Sequence, residues 1–238
     1  VKKLLTSKKA RQEAGLFVFD GTKLLEEAVR YCPGLDTVIL SEGVQAQVPE
    51  GVRLVRVPQD VMASISPMST PQGALMLCRL PQSRPFAPQP GTLLLDGIQD
   101  PGNLGTILRT ADALDIPVAL LEGCADPYSH KVVRSSMGAV LRRDVVQTTW
   151  EEAAKALTEA GIPVAVTALN DQARDIRQAK LGTMAVVIGS EGQGVRPEIL
   201  NSAAHALIIP MNSHCESLNA AVAATIVMWQ MKMEHNDF

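Results

Sequence analysis

At 238 residues the chain can bury one large core or two modest ones. A composition of 46% hydrophobic and 20% charged residues argues against disorder, and 3% aromatic residues argue against base-stacking platforms, which need exposed rings. The net charge of −3 is unevenly spread, with 10 basic and 8 acidic side chains in residues 1–80 against 12 and 17 in residues 81–238.

The sequence opens on Val1 rather than Met, and an initiator or short leading segment is expected before it. Lys2, Lys3, Lys8, Lys9 and Arg11 all precede the first acid, Glu13. Such a cluster can neutralise phosphates and release counterions, although charge alone reads first as a solvated basic tail. Residues 16–19 are expected as a strand and 22–31 as a helix with Leu24, Leu25, Ala28 and Val29 on one face, stopped by Pro33-Gly34. Residues 36–40, 52–57 and 74–80 read as short buried strands, with a helical turn over 59–65.

At residues 81–91 four prolines, Pro81, Pro85, Pro88 and Pro90, remove amide donors and favour an extended spacer. The expected division is therefore a small α/β domain at 1–80, a linker at 81–91 and a second domain at 92–238. Beyond the linker, apolar strands are expected at 92–95, 118–121, 143–146, 164–168, 185–188 and 206–209, with the clearest helices at 104–114, 151–160 and 218–233. Continuous apolar strands separated by helices imply a parallel sheet covered by helices on both faces. Ligands then belong outside the carboxyl ends of the strands.

Three such loops hold the polar chemistry. The first, from Asp96 to Gly105, opens a helix carrying Arg109. It lacks both GxxxxGK[ST] and GxGxxG, so neither a P-loop nor a dinucleotide fingerprint is present. Taken alone, Asn103 reads as a helix cap and Arg109 as a surface ion-pair partner. The second runs from Gly189 to Gly194 and sets Glu191 among three glycines, which is either close backbone approach to a ligand or a plain strand-to-helix turn. The third, from Ile209 to Asn219, places polar residues between a strand and an apolar helix, with Ser217 as the expected N-cap. The adjacent His214 and Cys215 supply neither a tetrahedral ligand set nor a base facing a thiolate. Cys32, Cys78, Cys124 and Cys215 form no CxxC pair, so no metal and no disulfide framework is expected. No apolar run approaches the roughly 20 residues that span a membrane, and a cytoplasmic protein is expected.

The order and spacing of these loops resemble the SpoU/TrmH branch of the SPOUT methyltransferases. DGIQDPGNLGTILRTADAL resembles that family's first motif, VVIGSEGQGV its second and IIPMNSHCESLNAAVAA its third. The region before the linker resembles the ribosomal-protein-like α/β/α RNA-binding domain found in front of many members. The resemblance implies S-adenosylmethionine held by backbone groups of the second and third loops, at Gly189, Gly192, Ile209 and Leu218. It places Asn103 and Arg109 toward RNA, with Glu191, Ser217 and Asn219 organising the pocket and with Lys8, Lys9, Arg11 and Arg109 on the RNA. The implied reaction is attack of a ribose 2′-hydroxyl on the sulfonium methyl group, and the extra N-terminal domain favours ribosomal over transfer RNA. A guanidinium, strongly basic and planar, suits Arg109 to anchoring phosphate and stabilising charge on O2′ better than to acting as a base. A trefoil-knotted fold and a homodimer formed beside the knot are implied by the resemblance alone; topology rules would draw an ordinary open sheet. Ser190 and Ser213 depart from the usual pattern, as does Ala220-Ala221, and Ser213 bears on cofactor affinity if its position needs positive φ. The rival reading is a non-catalytic RNA-binding or ribosome-assembly protein that keeps the fold.

Overall fold

The structure, a computed structural model, describes residues 1–169, 173–212, 214 and 217–234. Its chain divides into two compact units, one of residues 1–82 and 126–144, the other of residues 83–125 and 145–238.

The first unit opens with two helices, α1 (Lys2–Thr6) and α2 (Lys8–Ala14), where the charge pattern predicts a solvated tail. Their lysines face solvent, but Leu4 and Leu5 are buried against Val18. Ser7 caps α2 by accepting the Ala10 amide, and Gly15 ends it at φ 65°, the left-handed conformation glycine tolerates. Next come β1 (Leu16–Asp20), α3 (Thr22–Tyr31), β2 (Leu35–Ser41), β3 (Arg53–Val57), α4 (Gln59–Ile65) and β4 (Ala74–Arg79). The strands form one sheet in the order β1-β4-β2-β3, antiparallel except for the parallel β2–β3 pair. Helix α3 buries Leu24, Leu25 and Ala28, the stripe its spacing predicts.

The second unit begins with β5 (Leu93–Asp96), α5 (Pro101–Leu114) and β6 (Val118–Leu120). The chain then contributes α6 (His130–Ser135) and α7 (Ala139–Arg142) to the first unit, α6 on β1 and α7 on α3. Three arginine–carboxylate pairs hold this segment: Arg11 with Asp126, Arg134 with Asp20, and Arg142 with Glu27. The compact units thus part from the division at 92–238, because residues 126–144 carry charges matched to partners 114 or 115 positions earlier.

The second unit resumes with β7 (Val146–Gln147), α8 (Trp150–Glu159), β8 (Val164–Thr167), β9 (Arg174–Asp175), β10 (Ala185–Gly189), α9 (Pro197–Ser202), β11 (His205–Ile208) and α10 (Ala220–Glu234). All pairings in its seven-stranded sheet, ordered β7-β6-β5-β10-β8-β11-β9, are parallel. Leu94, Val166 and Val187 on the central strands pack with Ala153 and Leu157 of α8 and Ile199 of α9. Both faces being covered, the central strands are apolar up to the polar residues at their carboxyl ends, Asp96 of β5 and Thr167 of β8. Because the strands run the same way, their carboxyl ends share one edge, where Gly189 of β10 lies opposite Asp96 of β5. The loops after β5, β10 and β11 all begin at this edge.

Candidate active site

Each loop reaches the shared edge by a local device. Asp100 caps α5, its Oδ1 accepting the Asn103 amide at 2.8 Å, and Pro101 occupies the first turn where no amide is needed. The Asn103 side chain is left free to project from the helix start. In the second loop Ser190 and Gly194 exchange main-chain hydrogen bonds, Ser190 N to Gly194 O at 3.2 Å and the reverse at 2.9 Å, folding the chain back over Gly189. A Cβ on Gly189 would lie 2.1 Å from the Gly194 carbonyl carbon, so only glycine fits. The third loop ends at Asn219, whose Oδ1 accepts the Ala221 and Val222 amides at 2.9 and 3.3 Å. Asn219, not Ser217, is therefore the cap of α10, and Asp100 takes the capping role that Asn103 has in the bare sequence.

These devices bring three side chains into one hydrogen-bonded cluster. Asn219 Oδ1 is engaged by backbone donors, so its Nδ2 must face outward, and it donates to Glu191 Oε1 at 2.9 Å and to Asn103 Oδ1 at 3.0 Å. Asn103 Nδ2 donates to the same Glu191 oxygen, as does the Ala220 amide at 3.2 Å. The carboxylate thus sits at the positive end of α10, where a negative charge is favoured. Glu191 Oε2 takes no hydrogen bond among the described residues.

Beside this cluster lies a cavity of about 500 Å³, lined by Gly189, Gly192, Ile209, Ser217 and Leu218 together with Thr167, Leu169, Val195 and Leu207. Its walls are mainly apolar, and its size suits a nucleoside-sized ligand. Gly192 has no heavy atom near its missing Cβ, so its backbone stays open to a ligand. Met211 also lines the cavity; Ser213 and Cys215 lie outside the described residues. A smaller recess between Gly97–Asp100, Asn103 and Ser190–Gln193 adjoins the cluster.

Arg109 is not part of the cluster. It lies exposed two turns further along α5, in a groove shared with Thr106, Thr110, Thr225 and Trp229. Lys8 and Lys9 are exposed on α2, Lys9 3.8 Å from Glu13. Arg11 departs from expectation. It is 4% exposed, its Nε and Nη2 donate to Asp126 Oδ2 and its Nη1 to the Leu4 carbonyl, so it offers nothing to RNA.

Sequence reading also missed polar groups that shape the loops. Asp96, only 2% exposed, accepts the Arg196 backbone amide at 2.8 Å and Arg196 Nε at 2.7 Å, while Arg196 Nη2 donates to Glu122 at 2.8 Å. Asp96 and Arg196 flank the first and second loops, but nothing in local spacing pairs them across 100 positions. Cys124 donates to the Leu95 carbonyl at 3.2 Å and accepts the Ile98 amide at 3.3 Å; burial pushes its thiol up, which suits a structural role rather than a nucleophile. Among the described residues no group of side chains is placed to hold a metal ion, and no helix is long and apolar enough to cross a membrane.

Residues 90–229 match the SpoU rRNA methylase family. The chain belongs to that family. Residues 1–76 of this SpoU methylase match the MRM3-like substrate binding domain. A Bacillus subtilis relative, the 23S rRNA (guanosine(2553)-2′-O)-methyltransferase RlmP, is 32% identical over 236 residues, 97% of this chain and 94% of that protein. A TrmH-family structure from Porphyromonas gingivalis is 34% identical with a TM-score of 0.82, covering 95% of this chain and 93% of its own. The AdoMet-bound rRNA methyltransferase from Sinorhizobium meliloti is 27% identical with a TM-score of 0.86, covering all of this chain and 94% of its own. The SpoU methylase is accordingly an S-adenosylmethionine-dependent RNA methyltransferase.

Proposed function

We propose that this enzyme methylates a ribose 2′-hydroxyl of 23S ribosomal RNA, acting in the cytoplasm as a homodimer with a knotted C-terminal domain. The observation that carries the reading is the Asn103–Glu191–Asn219 cluster, built from all three loops at the rim of the cavity. The likeness to RlmP across both units supports the ribosomal target, since the substrate-binding match accompanies the catalytic one.

Gly189, Gly192, Ile209 and Leu218 are suited to hold S-adenosylmethionine, because a close-packed glycine and apolar walls present backbone donors and acceptors without side-chain obstruction. The cofactor, when bound, supplies an electrophilic methyl group. The chain's own part is to bind and orient a hydroxyl, a poor nucleophile until its proton is drawn away. Glu191 Oε2 provides an open acceptor beside Asn103, and the two asparagine amides fix the carboxylate that carries it. Ser217 adds a hydroxyl at the cavity wall.

Arg109 serves as phosphate anchor and stabiliser of negative charge. Its groove is bordered by half-exposed Trp229, and Val222 and Met233 of α10 are similarly exposed, a larger apolar display than one core face needs. Pairing of two copies across this face covers Trp229 and places Arg109 at the interface. Sedimentation tests the pairing, with Trp229→Asp expected to turn a dimer into a monomer.

Labelled S-adenosylmethionine incubated with ribosomal RNA from a strain lacking the cognate methylase tests the function. Label recovered as one 2′-O-methyl nucleotide in 23S RNA is the expected result. Cofactor binding without label in RNA would overturn it.

A further inference from the structure

The second loop lines the cofactor cavity and is held at its tip through Glu191, which accepts from Asn103, Asn219 and the Ala220 amide; its exit is held separately. Residues 191–194 are exposed, and the hairpin is closed mainly by its own Ser190–Gly194 bonds and by the Ser190 hydroxyl accepting the Gln193 amide at 3.3 Å. Those bonds fix the loop's shape but not its place on the sheet. Its entrance is fixed by β10, where Gly189 pairs with Asp96. Its exit is fixed by the same Asp96, whose two oxygens take the amide and the Nε of Arg196. The guanidinium continues to Glu122 on the loop after β6, and Glu122 in turn accepts the Trp150 amide at 3.1 Å. Arg196 Nη1 also lies 3.4 Å from Glu198.

One planar side chain therefore joins the ends of β5 and β6 to the exit of the cofactor loop through its Nε and Nη2, while Nη1 faces Glu198 on α9. Although burial works against the charge, the hydrogen bonds to Glu122 and Asp96 hold the Arg196 pKa above its ordinary value. A lysine has the charge but gathers its donors on one nitrogen and lacks the rigid fork that sets Nε on Asp96 and Nη2 on Glu122. We propose that Arg196 is a positioning residue for the cofactor loop, clamping residues 190–195 against Asp96 and Glu122 so that the cavity is preformed for S-adenosylmethionine. This rests on the functional reading above and assigns Arg196 no contact with reacting atoms.

Arg196→Gln and the milder Arg196→Lys test it in the full chain, by hydrogen exchange of the ligand-free protein, calorimetric binding of S-adenosylhomocysteine, and steady-state kinetics. Loss of hydrogen bonds to charged groups predicts exchange of the 190–195 amides and a dissociation constant each raised about 10- to 100-fold in Arg196→Gln, with Arg196→Lys between it and wild type. Amides of β5 and β10 keep their protection, and kcat at saturating cofactor stays within about threefold while KM rises. Unchanged loop exchange, unchanged affinity, or exchange raised equally through β5 and β10 would overturn the clamp; the last would mark general destabilisation. Wild-type protein that fails to bind S-adenosylhomocysteine would instead sink the functional reading, with loop exchange still deciding whether Arg196 holds the loop.

Discussion

Arg11 and its neighbours Lys8 and Lys9 are alike in charge and opposite in circumstance. The Arg11 guanidinium is enclosed with Asp126, whereas the two lysines stand in solvent. Arg11→Ala leaves a nearly buried carboxylate unpaired and should cost about 3–5 kcal/mol by chemical denaturation. Lys8→Ala and Lys9→Ala should each cost less than about 0.5 kcal/mol. If the lysines meet phosphate, each substitution also lowers the salt slope of RNA binding by about 1. Glu191 calls for a different contrast. Glu191→Gln can keep a carbonyl oxygen where Oε1 accepts from Asn103, Asn219 and Ala220, but it replaces the open acceptor Oε2 with a donor. Stability should change by less than about 1 kcal/mol. Turnover should fall tenfold or more, about what loss of a positioned catalytic acceptor produces; wild-type turnover in this variant would remove the carboxylate from the mechanism.

Among elements, helix α5 shows how a cap and a site residue divide their work. Asp100 holds the Asn103 backbone, which frees the Asn103 amide for Glu191. Asp100→Ala should therefore destabilise the fold by about 1 kcal/mol and lower activity, whereas Asn103→Ala should lower activity with little effect on the denaturation midpoint. Equal losses of stability in the two variants would contradict this division. The long strands and helices were legible because their periods of apolar residues are local: α4 and α3 begin and end where spacing puts them. Elements decided by partners distant in sequence were not. Helices α1 and α2 depend on Val18 for their apolar face, β9 is two residues paired to β11, and α7 is only four residues long. The loops were legible as polar chemistry after strands, but the hydrogen bonds among Asn103, Glu191 and Asn219 span 28 to 116 positions and follow only once the parallel sheet aligns its carboxyl ends.

At the scale of the whole molecule, the docking of residues 126–144 onto the first unit makes that unit's stability depend on pH. His130 at the start of α6 has Nδ1 3.2 Å from the Leu5 carbonyl, an acceptor, so Nδ1 carries the hydrogen and donates. Burial holds the His130 pKa below its ordinary value, against the opposing pull of Leu5 and Asp20. The folded state thus binds fewer protons than the unfolded state as pH falls through the ordinary value of 6.5, so acidification through that window costs stability. Asp20 acts in the other sense: burial raises its pKa above 3.8 despite Arg134, so its native form keeps a proton the unfolded chain has lost, and stability falls as pH rises through that window. Comparing wild type with His130→Gln separates the two, because Asp20 is present in both. From pH 7.5 to 5.5 the wild-type midpoint temperature should fall further than that of His130→Gln, with hydrogen exchange quickening first in α1, α6 and β1. Parallel pH profiles for the two proteins would show that the imidazole titrates as it does in the unfolded chain and contributes nothing to the pH dependence of this unit.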